Sequence, residues 1–269
     1  MKRTILLDAD VPAYQFAARG QKDIQWEEDG EEFHEPPPTE WAIDGMLDYI
    51  EELEDTLEAD KTIICFSDAA RSHNWRLNVL PTYKSNRASK IRPVLHPDIE
   101  AALADHFEAY RRPGLEGDDV LGILATNPKV IKGEKVICSI DKDMQTIPNR
   151  KHKASRNLFY FMNIKYPNKN RLLDISEEQA DWYWMYQTLT GDTTDGYKGC
   201  PNIGDVKARK ILGPPEDGYL QLWWHLVIDT YQQKGLTIED ALAQARVARI
   251  ARAEDYDYKR KVIIPWQGV

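Results

Sequence analysis

Three short apolar runs, each closed by aspartate, constrain this chain more than any other feature. Residues 4–7 (TILL) lead to Asp8, 62–66 (TIICF) to Asp68, and 135–140 (KVICSI) to Asp141 and Asp143. Runs without polar alternation suit strands buried on both faces, as in a parallel sheet. Between them lie segments of helical spacing: 41–57, with Met46, Leu47, Ile50, Leu53 and Leu57 on one face, then 97–107 and 117–125. The alternation predicts an α/β fold, a central, mostly parallel sheet flanked by helices with right-handed crossovers. All carboxyl ends of such strands lie on one edge, where open α/β folds bind ligands. Asp8, Asp68, Asp141 and Asp143 are therefore expected together, far apart as they are in the chain.

Two further acidic groups sit at element ends. Glu116, Asp118 and Asp119 (EGDD) open a predicted helix, and Glu116 and Asp119, three apart, share a face. Asp192 and Asp195 (GDTTD) follow a predicted helix ending near residue 189. Any one such group is accounted for by capping or by the helix dipole. Five groups at strand and helix ends are not. Packed together without cations, these acids repel one another and hold protons. Hard divalent ions such as Mg²⁺ or Mn²⁺, which prefer oxygen ligands, resolve the conflict.

The net charge of −9 argues on its own against phosphate binding, but its distribution does not. Residues 23–60 are strongly acidic, whereas 71–92, 150–171 and 207–210 are basic. No apolar run approaches a membrane span, and the N-terminus lacks the features of a signal peptide. Cys65, Cys138 and Cys200 are too scattered for a metal pair or a disulfide framework, so a reducing cytoplasm is expected. The six histidines lack ligand spacing and are read as structural or surface residues. The second half reads as helical. Residues 176–189 open with a capping box from Ser176 to Gln179. A glycine-punctuated stretch and a helix over 205–212 follow, stopped by Gly213-Pro214-Pro215, and then helices near 216–234 and 237–253. The aromatics at 182–186 and Trp223-Trp224 are read as packing. Pro36-Pro37-Pro38 is a stiff connector, and the acidic stretch 23–40 has no role that its residues explain.

In this order, LLDADVPAYQFA, FSDAARSHNWR, LPTYKSNR, LEGDDVLG, SIDKDMQTI and GDTTDGYKGCPNIGDVKA resemble the 5′-nuclease superfamily of flap endonucleases and polymerase-associated 5′-exonucleases. The similarity runs from the N-terminus to about residue 212. SHNWR, YKSNR, LEGDDVLGILATNP, DKDMQTIPN, ADWYWMYQT and the tail ARIARAEDYDY are most similar to the 5′→3′ exonucleases of T7-type phages.

The resemblance implies a two-metal site with Asp8, Asp68, Glu116, Asp118 and Asp119 in one ligand group and Asp141, Asp143, Asp192 and Asp195 in the other. Asp10 is held back as an outer group. It implies an α/β nuclease core over 1–175, with an arch or gateway over about 81–107, and a helical region over 176–269. Within the latter, a helix–three-turn–helix at 191–212 binds duplex DNA. Lys84 and Arg87 take catalytic roles, stabilising phosphate charge. Arg76, Tyr83 and Asn86 contact nucleic acid, Tyr83 by stacking on a terminal base. Gly199, Asn202 and Gly204 shape the hairpin turn, Gly199 and Gly204 allowing a close approach to phosphate, and Lys207, Arg209 and Lys210 face the duplex backbone. Asn202 replaces the usual glycine, and a K⁺ ion at 199–204 is a further expectation. The implied substrates are duplex DNA with a 5′ end, flaps and RNA–DNA hybrids. Partners would include replication proteins such as a single-stranded-DNA-binding protein, and the chain is expected to act as a monomer in the cytoplasm of a phage-infected bacterium. Two other readings remain open at this point: a PIN-like endoribonuclease and a non-catalytic DNA-end-binding module.

Overall fold

Ile5, Leu6 and Leu7 have no solvent exposure, because the first strand lies inside a sheet covered on both faces. The computed structural model describes residues 2–25, 32–68, 71–87, 92–150 and 155–269; the side chains of 22–25, 32–34, 71 and 87 lie outside that description. The chain runs β1 (Arg3–Asp8), α1 (Asp10–Ala18), a hairpin of β2 (Lys22–Gln25) and β3 (Glu32–Glu35), and α2 (Thr39–Leu57). Next come β4 (Lys61–Cys65), α3 (His96–His106), β5 (Glu108–Tyr110), α4 (Gly117–Thr126), β6 (Gly133–Ser139), β7 (Ser155–Phe161) and β8 (Arg171–Leu173). The second half holds α5 (Glu177–Thr190), α6 (Asp205–Leu212), α7 (Leu220–Gln232), α8 (Ile238–Ala248), β9 (Tyr256–Asp257) and β10 (Val262–Ile263).

The six-stranded sheet has the order β5-β4-β1-β6-β7-β8, and only β8 is antiparallel. Leu7 pairs with Ile64 on one side and Cys138 on the other, so β1, β4 and β6 end level with one another. Strand alternation sends Ile5 and Leu7 to a core with α1, α2 and α3, and Leu6 to a core with α4.

The three expected strands and the helix at 41–57 form close to their expected bounds. The sequence reading missed β5, β7, β8 and the nine-residue α1. Its final two helices are shorter than expected, and α3 begins at His96. The Ser176–Gln179 capping box is present. The packing role of the aromatics also holds. Trp184 and Trp223 are fully buried, and their indole N–H groups donate to Ala245 O at 2.8 Å and Leu212 O at 3.1 Å.

The C-terminal segment returns to the sheet. Ile250, Ala251 and Tyr256 join the core beneath α4. Gly122 permits the contact, since a Cβ there would stand 2.3 Å from Ala251 O. Among the described residues no helix is long and apolar enough to cross a membrane.

Candidate active site

Asp8 ends β1 and lies beside Ser139 at the end of β6, whose hydroxyl donates to Asp8 Oδ2 at 2.6 Å. Burial, with Asp10 adding to it, pushes the Asp8 carboxyl up to about 7. Asp10 opens α1 and is also pushed up by burial, although the Ser67 hydroxyl and N–H both donate to it. Asp68, in the loop after β4, accepts from Gly114 N–H at 2.8 Å. Its own N–H donates to Leu115 O at 2.8 Å, which ties this loop to the approach to α4.

At the start of α4, oxygens of Glu116, Asp118 and Asp119 lie within 4.8 Å of one another. Their electrostatics diverge. Burial pushes Asp118 well up, and Glu116 and Asp119 push it further. Burial would raise Glu116 as well, but Lys84 and Arg76 outweigh it and hold that carboxyl at about 2. Lys84 Nζ lies 2.5 Å from Glu116 Oε1 and 3.4 Å from Asp195 Oδ2. The Tyr83 hydroxyl donates to the same pair of residues, at 2.9 Å and 3.0 Å.

Asp141 and Asp143 follow β6. The Asp143 N–H donates to Asp141 Oδ1 at 2.8 Å, and the Asp141 N–H to Ser139 Oγ at 3.0 Å. Burial raises Asp141, and Asp195 and Asp192 add to the effect. Burial and Asp141 push Asp143 up to about 7. The Asp143 Oδ1 atom is buried without a hydrogen-bond partner among the described residues. In the turn after α5, Asp192 Oδ1 accepts from Thr194 N–H at 2.7 Å, and Asp192 and Tyr197 exchange backbone hydrogen bonds.

The stretch around Lys84 is docked on that turn. Lys84 adopts φ of 51°, and its N–H donates to Asp195 O at 2.8 Å. Asn86 Nδ2 donates to Thr193 O and Thr194 O at 3.2 Å and 3.3 Å. Lys84 thereby stands between the acids of α4 and those that follow α5. A cavity of about 420 Å³ is lined by Asp8, Asp10, Asp68, Glu116, Asp118 and Asp141, with Tyr83 and Lys84 on its wall. Its donor set is carboxylate oxygen, with several protons held up by burial and mutual repulsion, and the unpartnered Asp143 Oδ1 lies two residues beyond Asp141 in the same loop. That set fits hard divalent cations.

Several expected site residues sit elsewhere. Arg76, expected at nucleic acid, is 1% exposed. Its guanidinium donates to both oxygens of Asp119 at 2.7 Å and 2.8 Å, to Glu116, and to the carbonyls of Val247 and Arg249. No donor is left for a phosphate. Asp119 itself has no exposure and also accepts from Trp75 Nε1 and Ala251 N–H, so both its oxygens are taken by the protein. Tyr83 is buried, with the Arg76 and Lys84 cations 5.6 Å and 5.1 Å from its ring centre, which removes it as a stacking platform. The Arg87 side chain and the stretch 88–91 of the expected gateway lie outside the described residues.

In the 191–212 hairpin, Asn202 takes the left-handed conformation with φ of 63°. Gly199 also has positive φ, but its close neighbours are its own chain. A Cβ there would lie 2.3 Å from Gly191 N, and this packing explains the glycine better than an approach to phosphate. Gly204 caps α6 with open space around it. The Lys207 ammonium donates to Asn202 O at 2.9 Å. Arg209 pairs with Asp205 at 2.6 Å and covers Tyr186, and Lys210 is exposed. The sequence reading did not anticipate the Ser67 and Ser139 hydroxyls or His96. His96 lines the cavity, 4% exposed, with Tyr14 edge-on at 6.4 Å.

A mostly parallel sheet with acids from the end of β1, the loops after β4 and β6, the turn after α5 and the starts of α1 and α4 defines an α/β protein with a carboxylate centre. Residues 6–174 match the family model of the 5′-3′ exonuclease, N-terminal resolvase-like domain. The chain belongs to the 5′-3′ exonuclease and flap endonuclease family. It is 30% identical to the exodeoxyribonuclease of Enterobacteria phage T3, over 98% of this chain and 93% of the relative. It is also 30% identical to the exonuclease of Escherichia phage T7, over 99% and 94%. In fold it is similar to the phage T5 D15 protein co-crystallised with metal ions, with a TM-score of 0.64 at 15% identity over 92% of this chain and 89% of that one.

Proposed function

We propose that the chain is a divalent-cation-dependent 5′→3′ exonuclease that degrades duplex DNA from 5′ ends and leaves 5′-phosphorylated products. We extend the reading to removal of RNA from hybrids, and the flap endonucleases among its relatives extend it to cleavage of flaps. The observation that carries the reading is the convergence of Asp8, Glu116, Asp118 and Asp141 on one cavity with Lys84 between two acidic groups.

Glu116, Asp118, Asp8 and Asp141 would hold cations from the cavity side, with Asp68, Asp143, Asp192 and Asp195 completing the two groups directly or through water. Bound there, divalent cations supply charge for the phosphate and Lewis acidity for attack by water. The protein's own part is positional. Ser139 and Ser67 orient Asp8 and Asp10, and Arg76 fixes Glu116. The Lys84 ammonium would stabilise phosphate charge in the transition state, a contribution of about 3–4 kcal/mol for comparable donors. Lys207, Lys210 and Arg209 on α6 would grip duplex backbone away from the cut.

A time course with 5′-labelled and 3′-labelled blunt, flapped and RNA–DNA duplexes in Mg²⁺ tests the proposal. Label should leave the 5′ end first as short 5′-phosphorylated products. Release from the 3′ end first, or a preference for single-stranded RNA over duplex ends, would overturn it.

A further inference from the structure

Residues 150–171 contain seven Lys or Arg and no Asp or Glu, in a chain whose net charge is −9. Part of this excess is spent structurally. Arg150 pairs with Glu254 and Glu177, and Arg156 with Glu134 at the opposite edge of the sheet. Lys165, Lys169 and Arg171 are different. All three are exposed, and none pairs with a carboxylate among the described residues.

Their placement follows from register. Phe161 ends β7 and pairs with Arg171, which opens the antiparallel β8. The 162–170 turn therefore sits at the carboxyl edge of the sheet, the edge that carries the acids. From β6, which delivers Asp141, β8 is two strand spacings away, about 10 Å. That is well under the roughly 34 Å of one duplex turn, so a single bound DNA segment reaches both places.

The turn is tied by hydrogen bonds within it. Asn163 N–H donates to Asn170 Oδ1 at 2.6 Å and Tyr166 N–H to Asn163 Oδ1 at 2.8 Å. Lys169 N–H donates to Tyr166 O at 2.9 Å. Tyr166 is 45% exposed and carries the Lys165 and Lys169 ammonium groups 5.5 Å and 4.7 Å from its ring centre. Arg171 lies over Phe161 at 5.5 Å. The aromatic rings thus hold three cations around one turn, with no ion pair to a carboxylate among the described residues. Such an arrangement suits a chain of phosphates better than a single anion.

We propose that Lys165, Lys169 and Arg171 form a second contact patch for the phosphate backbone of the nucleic-acid substrate, beside the carboxylate site and separate from α6. This rests on the nuclease reading above. The test is duplex affinity in chelator across a salt series, for the parent chain and for Lys165→Ala/Lys169→Ala/Arg171→Ala. Each phosphate contact contributes about 0.9 to the slope of log K against log salt, so the triple variant should lose roughly 2–3 from the slope and at least about tenfold in affinity near 0.1 M salt. Lys165→Gln and Lys169→Gln singly should each lower the slope by about 1, which keeps the test valid if the triple variant folds poorly. Parent-like slopes in all three variants would overturn the patch. Failure of the parent chain to cleave the same duplex in Mg²⁺ would instead overturn the nuclease reading.

Discussion

Asp118 faces the cavity, and Asp119, one residue on, faces the core and closes both oxygens on Arg76. Asp119 is thereby spent on architecture, whereas Asp118 keeps its carboxyl on the cavity. Arg76 reaches Asp119, Glu116 and two carbonyls of the C-terminal segment, so Asp119 acts on the site by positioning Glu116 through that guanidinium. Asp119→Ala strips the buried Arg76 of its bidentate partner, leaving Glu116 as its one remaining carboxylate among the described residues, and should cost about 3 kcal/mol of stability. Asp118→Ala should abolish cleavage while leaving stability unchanged or higher, because it removes a carboxyl that burial and two neighbouring acids oppose. Urea melts and a cleavage assay on both variants decide this. A stable Asp119→Ala protein, or an active Asp118→Ala protein, would contradict the assignment. From sequence, EGDD reads as three equivalent acids, since nothing local marks which one turns inward. The discriminating partner, Arg76, lies 43 residues away.

Between the acids of α4 and the hairpin that follows α5, the 81–87 stretch acts as a clasp. Its fit depends on how closely the turn after α5 folds on itself. Gly199→Ala would place a Cβ 2.3 Å from Gly191 N at a φ of +64° and should destabilise by more than about 2 kcal/mol. Gly204→Ala, in open space with φ of −104°, meets no clash and should cost only the weaker N-cap preference of alanine, under about 1 kcal/mol. Calorimetry on the two variants distinguishes them, and equal losses would show that the turn is not held as described. Element by element, the buried strands β1, β4 and β6 were legible because their apolar runs are continuous. β5 and β8 are three residues each, too short to show a period, and β7 sits inside a basic stretch that reads as a loop. α1 was hidden because its nine residues are separated by only one residue from the strand end at Asp8 and include Pro12.

Across the whole molecule, the positions of the acids were legible and their uses were not. Strand ends alone place Asp8, Asp68 and Asp141 on one edge, because parallel register requires it. Burial and long-range donors, which no spacing encodes, decide that Arg76 and Tyr83 serve the site from inside and that Gly199 packs against its own chain. The central claim concerns the acids themselves: their burial makes sense if divalent cations replace the protons. Asp8 and Asp143 are raised from 3.8 to about 7 in the folded chain. Between those two values the native state holds more protons than the unfolded chain, so without metal raising pH through this window removes stability. Cations that bind the ionised acids compete with those protons and bind more tightly as pH rises. At a concentration 100 times the dissociation constant, each site adds about 2.7 kcal/mol. The direct measurement is thermal unfolding at pH 5.5 and pH 8, in chelator and in excess Mg²⁺. The account predicts a lower melting temperature at pH 8 than at pH 5.5 in chelator, and a Mg²⁺-induced rise of several degrees that is larger at pH 8. A melting temperature that rises with pH in chelator, together with no shift on adding Mg²⁺, would contradict it.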